Sequence, residues 1–184
     1  MQYNSPVILT FFLLSLGALF LGRYTGGWTT THLFSVYRSS LKDPLFYIRL
    51  FGHVLGHADY EHYMSNMLLI LLVGPGLEEK YGSGTMVWII ALTALITGLV
   101  HFLFFPNTVL LGASGVVFMM IVLSSFTAMR RGEIPVTLIL VVIFYLGGEI
   151  MDGLFKQDSI SQITHIVGGL CGLVFGFTIR RGRR

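Results

Sequence analysis

The chain has 184 residues, 54% of them hydrophobic and only 11% charged, with a formal net charge of +3 and a strongly positive mean hydropathy. Soluble domains carry about 25% charged residues, so an ordinary soluble globule is excluded and a single all-α membrane domain over 1–184 is predicted. The basic residues gather at the ends of apolar runs, which excludes a nucleic-acid-binding face, and the lone Cys171 excludes an internal disulfide or a multi-cysteine metal site.

Six apolar segments follow one another. The first covers 7–22; residues 1–6 bring no charged side chain and no small-x-small cleavage site follows, so a retained helix is expected rather than a cleaved signal. The connection 23–56 is too polar to span a bilayer and too aromatic for a free linker, with Trp28, Phe34, Tyr37, Phe46, Tyr47 and Phe51. It reads as an interfacial amphipathic segment, with an ordinary packed loop as the alternative.

The second segment, 57–77, ends at Glu78-Glu79-Lys80, and a turn over 81–84 leads to the third, 85–104. Pro106 and Asn107 mark the next turn. The fourth, 114–129, stops at Arg130-Arg131; the fifth covers 134–150; a polar connection, 152–161, precedes the sixth, 163–179, and its four-arginine tail. The predicted fold is therefore a six-transmembrane-helix bundle with an interfacial loop between helices 1 and 2. Lys80, Arg130, Arg131 and the tail share one side with both termini, which the positive-inside rule makes cytoplasmic; Lys156, Arg23, Arg38, Lys42 and Arg49 lie opposite and weaken the bias without reversing it.

Three polar groups fall at one depth. If each segment is helical, Ser114 lies roughly 24 Å from Arg130, His165 roughly 22 Å from Arg180 and His62 roughly 24 Å from Glu78. Polar side chains within a hydrocarbon core about 30 Å thick must satisfy one another or line a wet cavity.

Their chemistry suggests a hydrolase. Ser114, between Gly112 and Gly115, reads either as a nucleophile in a tight turn before a helix or as an N-cap serine. His165 reads either as the base that takes its proton or as a histidine bonded to a carbonyl inside the bundle. Gly168, Gly169 and Gly172 offer a small-residue face for close packing. No carboxylate is obviously placed to orient His165, so a dyad fits better than a triad. His62 and Asn66, spaced i, i+4, share a helix face and read either as oxyanion donors or as interhelical hydrogen-bonders. His57 sits at the mouth of the same helix and reads as support, and Cys171 as a packing residue. The histidine spacing is not that of a zincin; His53, His57, His62, His101 and His165 stay open as haem or zinc ligands, while no metal or organic cofactor is expected. Glu149 has no assigned role.

In this order, on separate apolar segments, these residues resemble the rhomboid family of intramembrane serine proteases in its compact six-helix bacterial form, from about Arg49 to the sixth helix. The motifs are His57-x4-His62-x3-Asn66, the turn stretch Gly74 to Ser83, Gly112-Ala-Ser114-Gly115, and His165-x2-Gly168-x3-Gly172. The resemblance implies Ser114 as nucleophile, His165 as base, and His62, Asn66 and the Ser114 backbone N–H as oxyanion donors. Supporting positions are His57, Gly112, Gly115, Phe118, Gly168 and Gly172. It further implies transmembrane protein substrates, the lipid bilayer as surroundings, and a multi-pass location in the bacterial inner membrane. Three departures stand out: Ile48 precedes Arg49 where tryptophan is frequent, Phe118 replaces a frequent tyrosine, and Thr164 precedes His165 where a small residue is common. The rival readings are a catalytically silent relative that binds membrane-protein clients and a small transporter or haem-binding protein.

Overall fold

A computed structural model describes residues 4–127, 136–141, 143 and 159–179. Among them the chain is helical: α1 (Pro6–Tyr24), α2 (Trp28–Leu33), α3 (Pro44–Gly52) running into a 3-10 turn (His53–Leu55), α4 (Tyr60–Tyr81), α5 (Ser83–Phe104), α6 (Ser114–Ser125), α7 (Val136–Val141) and α8 (Ser159–Thr178). The isolated bridge between Val36 and Leu110 is antiparallel. Arg130, Arg131, Glu149, Asp152, Lys156, Asp158, the tail arginines and most of the expected fifth segment lie outside the described residues.

α1, α4, α5, α6 and α8 coincide in place with five of the expected segments, α2 and α3 form within the expected connection, and local capping moves the helix ends. α4 starts at Tyr60, not His57, because Asp59 Oδ1 accepts the His62 N–H at 2.8 Å. It continues through Glu78-Glu79-Lys80, expected as its end, to Tyr81 and carries Pro75 inside; of the expected turn 81–84 only Gly82, at φ +83°, links it to α5. α6 ends at Ser125, short of the expected Met129: the Ser124 hydroxyl bonds back to Ile121 O at 2.7 Å, and the Phe126 N–H turns to Leu123 O at 3.0 Å. α8 begins at Ser159, inside the expected connection, so His165 lies in its second turn.

By length and composition α1 and α5 can each cross a bilayer. α4 is as long as α5 but more polar, and α6 has only 12 residues. α4 packs on α1 and α6, α5 on α3 and α8, and α6 lies along α8. Ile8, Met67, Ile70, Met86, Ile89 and Met119 are fully buried between them.

The connection 23–56 is both packed and amphipathic. Arg49, 1% exposed, ties it together: it pairs with Asp43 at 2.6 Å, donates to Ser39 Oγ at 2.9 Å and His32 O at 3.4 Å, and lies 4.6 Å from the Tyr37 ring. Its hydrogen bond holds the Asp43 carboxyl below the usual carboxylate range. Outward, Tyr24, Trp28, Leu41, Tyr47 and Ile48 expose large apolar surfaces.

Glu78 tethers the far end of the bundle. Its carboxylate accepts the Val7 and Ile8 N–H groups at 3.0 Å each and the Ser83 hydroxyl at 2.7 Å. A residue of α4 thus supplies the anion that the first-turn N–H groups of α1, left without partners within their own helix, attract. Glu78→Ala is expected to cost about 1–3 kcal/mol, because buried donors lose their acceptor. Thermal unfolding in detergent measures this, and Glu78→Gln, which keeps an acceptor oxygen, should lose less.

Candidate active site

Ser114 is half-buried and is the first residue of α6. The N-cap is Ala113, so the capping-serine reading does not hold: Ser114 stands one position too late. The first hydrogen bond closing this helix runs from Val117 N to Ala113 O. The N–H groups of Ser114, Gly115 and Val116 precede it, and they converge at the positive end of the helix beside the hydroxyl.

The backbone before Ser114 is clamped. Leu110 and Val36 exchange both N–H···O bonds at 2.8 Å, and the Gly112 N–H donates to His53 O at 2.9 Å. Gly112 adopts φ +122°, and a Cβ there would lie 2.8 Å from both Cε1 and Nε2 of His62. Backbone conformation and close approach both require glycine here. The His62 imidazole consequently rests on the peptide two residues before the serine.

α8 supplies the histidine. The His165 ring stacks on Phe118 with centroids 4.3 Å apart and planes 7° from parallel. Phe118 is one helical turn beyond Ser114, so His165 lies over the face of α6 that Ser114 begins. The two helices come this close because Gly168 lies against the Gly115 backbone, Gly172 against Met119 O and Gly176 against the Phe126 ring. The spacing of four keeps the stripe on one face of α8. Gly115 is hemmed by both neighbouring helices: a Cβ would meet Cγ2 of Thr97 on α5 at 3.2 Å and of Thr164 on α8 at 3.4 Å.

α4 carries His62 and Asn66. Asn66 is 5% exposed and its Nδ2 donates to His62 O at 2.9 Å, linking the pair along one face. His57 is buried, and its Nδ1 faces Leu55 O at 3.2 Å. A carbonyl only accepts, so that nitrogen carries the proton. The His57 ring meets the His62 ring edge-on, 5.1 Å between centroids, and props it from behind.

Contacts thus join Gly112 to His62, His62 to Asn66 and His57, Phe118 to His165, and Gly115 to Gly168. Cys171 is buried in the core. His53 and His101, open as metal ligands in the sequence, are engaged otherwise: His53 Nδ1 bonds Arg49 O and His101 Nε2 bonds Thr108 O, each at 3.2 Å. His53 Nε2 lies 3.3 Å from Thr97 Oγ1. The role of His53 O as an anchor for Gly112, and of Thr97 as a wall at Gly115, was not read from the sequence. The signal available was Thr93, Thr97 and His101 at steps of four in an otherwise apolar segment, which makes one polar stripe.

A family model described as the Rhomboid domain matches residues 45–182. The chain is 30% identical over 140 residues to Rhomboid-related protein 1 of Caenorhabditis elegans and 27% identical over 148 residues to Rhomboid-related protein 2 of Mus musculus. Each match covers 71% of this chain, with 39% and 47% of the respective relatives, so the chain spans less than half the length of either.

Proposed function

The chain belongs to the rhomboid family of membrane proteins, and on that premise we propose that it is an intramembrane serine endopeptidase working through a Ser114–His165 dyad. The observation that supports this reading is the stack of the His165 ring on Phe118, which stands one helical turn beyond Ser114 on α6. Ser114 Oγ attacks the scissile carbonyl carbon while His165 takes its proton. The Ser114 N–H, His62 and Asn66 bind the resulting oxyanion, for which Asn66 releases the His62 carbonyl. His165 then protonates the leaving amine, and water deprotonated by His165 hydrolyses the acyl-enzyme.

The same reading takes the bundle as six spans, with a polar cavity among α4, α6 and α8 opening to the outer side. Both termini are cytoplasmic, the membrane is a bacterial inner membrane, and the substrates are transmembrane segments of other proteins. Fluorophosphonate labelling of purified protein tests it: Ser114 should be labelled, and Ser114→Ala should not. A folded sample that neither labels nor cleaves would favour a silent relative that binds membrane-protein clients.

Asn66→Ala is expected to lower kcat about 10²–10³-fold, the usual loss for one oxyanion donor, without abolishing turnover, because the backbone N–H remains. An unchanged kcat would leave Asn66 a structural hydrogen-bonder. Cleavage is expected in the outer part of a substrate span, after a small residue, and to need local unwinding that glycine or proline in the substrate helix favours. Mass spectrometry of the products checks this; cuts in the cytoplasmic half, or cuts indifferent to replacement of the helix breakers by leucine, would contradict it.

A further inference from the structure

An open groove of about 500 Å³ runs between α1 and α5. Thr10 and Leu14 line it from α1, Val87 and Ala91 from α5, and Val54 and Leu55 of the 3-10 turn close its inner end. Apart from the Thr10 and Ser83 hydroxyls its lining side chains are hydrocarbon. From Ser83 to Ala94 it follows α5 for roughly 16 Å at the helical rise. That is about half of a ~30 Å hydrocarbon core, the depth of one leaflet. Leu14 and Val87, each 55% exposed, form its lips, so it opens sideways onto the surface that a rhomboid presents to the bilayer.

We infer that this groove binds one acyl chain of a phospholipid from the leaflet that meets Pro6 and Ser83. A second transmembrane helix, about 10–12 Å across with its side chains, is too wide to enter between two helices that touch each other. A single file of methylenes fits, and the groove is continuous with the hydrocarbon from which it would come.

The inner end gives the site a consequence. Val54 and Leu55 belong to the turn from which the candidate active site hangs: His53 O holds the Gly112 N–H at 2.9 Å, and Leu55 O holds His57 Nδ1 at 3.2 Å, with His57 against His62. An acyl chain filling the groove supports this turn from below; an empty groove leaves it unsupported. The binding site rests on geometry and bilayer contact, and only its effect on Ser114 rests on the protease reading.

The test uses the full chain in nanodiscs containing phosphatidylcholine with a diazirine on one acyl chain. After illumination, adducts should concentrate on Thr10, Leu14, Val87 and Ala91 and fall several-fold in Ala91→Phe, whose ring fills the groove. If Ala91→Phe does not fold, Ala91→Leu is the smaller intrusion with the same expected direction. In lipid-stripped detergent, Ser114 labelling of the wild type should slow several-fold and recover when phosphatidylcholine is added, while Ala91→Phe responds to neither step. Adducts spread evenly around α1 and α5, or unchanged in the filled variants, would overturn the site. So would a transmembrane peptide that cross-links to these residues and displaces the lipid. If the adduct map holds but Ser114 never labels, the lipid site stands and the protease reading fails.

Discussion

Ser114→Ala is expected to lose about 10⁶ in kcat, the scale seen when the nucleophile or the base of a serine hydrolase is removed alone. His165→Ala should lose a similar amount, and the double variant little more than either, because hydroxyl and base act as a unit. The reason is geometric. Ser114 is not consumed in capping α6, and the imidazole stacked on Phe118 lies over the face that the hydroxyl begins. Cleavage of a transmembrane substrate in proteoliposomes measures it, with thermal unfolding as the control for fold. Appreciable turnover by purified Ser114→Ala, or losses that multiply in the double variant, would break the dyad.

Gly168→Val is expected to part α6 from α8, lowering stability by about 3 kcal/mol, the upper end for overpacking. Its Cβ would fall on the backbone carbonyl of Gly115, which cannot swing aside as a side chain does. The same collision pushes His165, one turn earlier on α8, away from Ser114, so activity should fall even in molecules that stay folded. Gly172→Ala should be milder but still harmful, since its Cβ would lie 2.5 Å from Met119 O. Gly84→Ala is the internal control: nothing lies within 4 Å of its Cβ, and alanine in a helix is favoured by about 1 kcal/mol. Thermal unfolding and Ser114 labelling of the three variants separate the effects. A Gly168→Val protein as stable and as readily labelled as Gly84→Ala would contradict the close packing.

What could be read along the chain was what depends on near neighbours. Apolar runs located α1, α4, α5, α6 and α8, and small residues at steps of four announced a close face on α8. The spacing of His62 and Asn66 put them on one face, and the Gly-Ala-Ser-Gly turn located the start of α6. Helix ends were less legible, because they rest on single hydrogen bonds such as Asp59 to His62 and Ser124 to Ile121. The expected depth of Ser114 needs one helix as far as Arg130, whereas α6 stops at Ser125.

Whether the connection 23–56 was interfacial or packed could not be decided from composition, since Arg49 finds Asp43 nearby but His32 O only through the folded turn. Likewise, no local pattern pairs Val36 with Leu110, His53 O with Gly112, or Glu78 with the start of α1. Residue type and helical period are written in neighbouring positions, so the sequence by itself determined a helical membrane domain and which polar side chains share its apolar segments. Which carbonyl clamps the turn before Ser114, which ring lies on His165 and where α1 and α5 leave a groove depend on backbone groups and surfaces brought together from distant positions. Every residue carries the same backbone donor and acceptor, so their partners are chosen only when the helices pack.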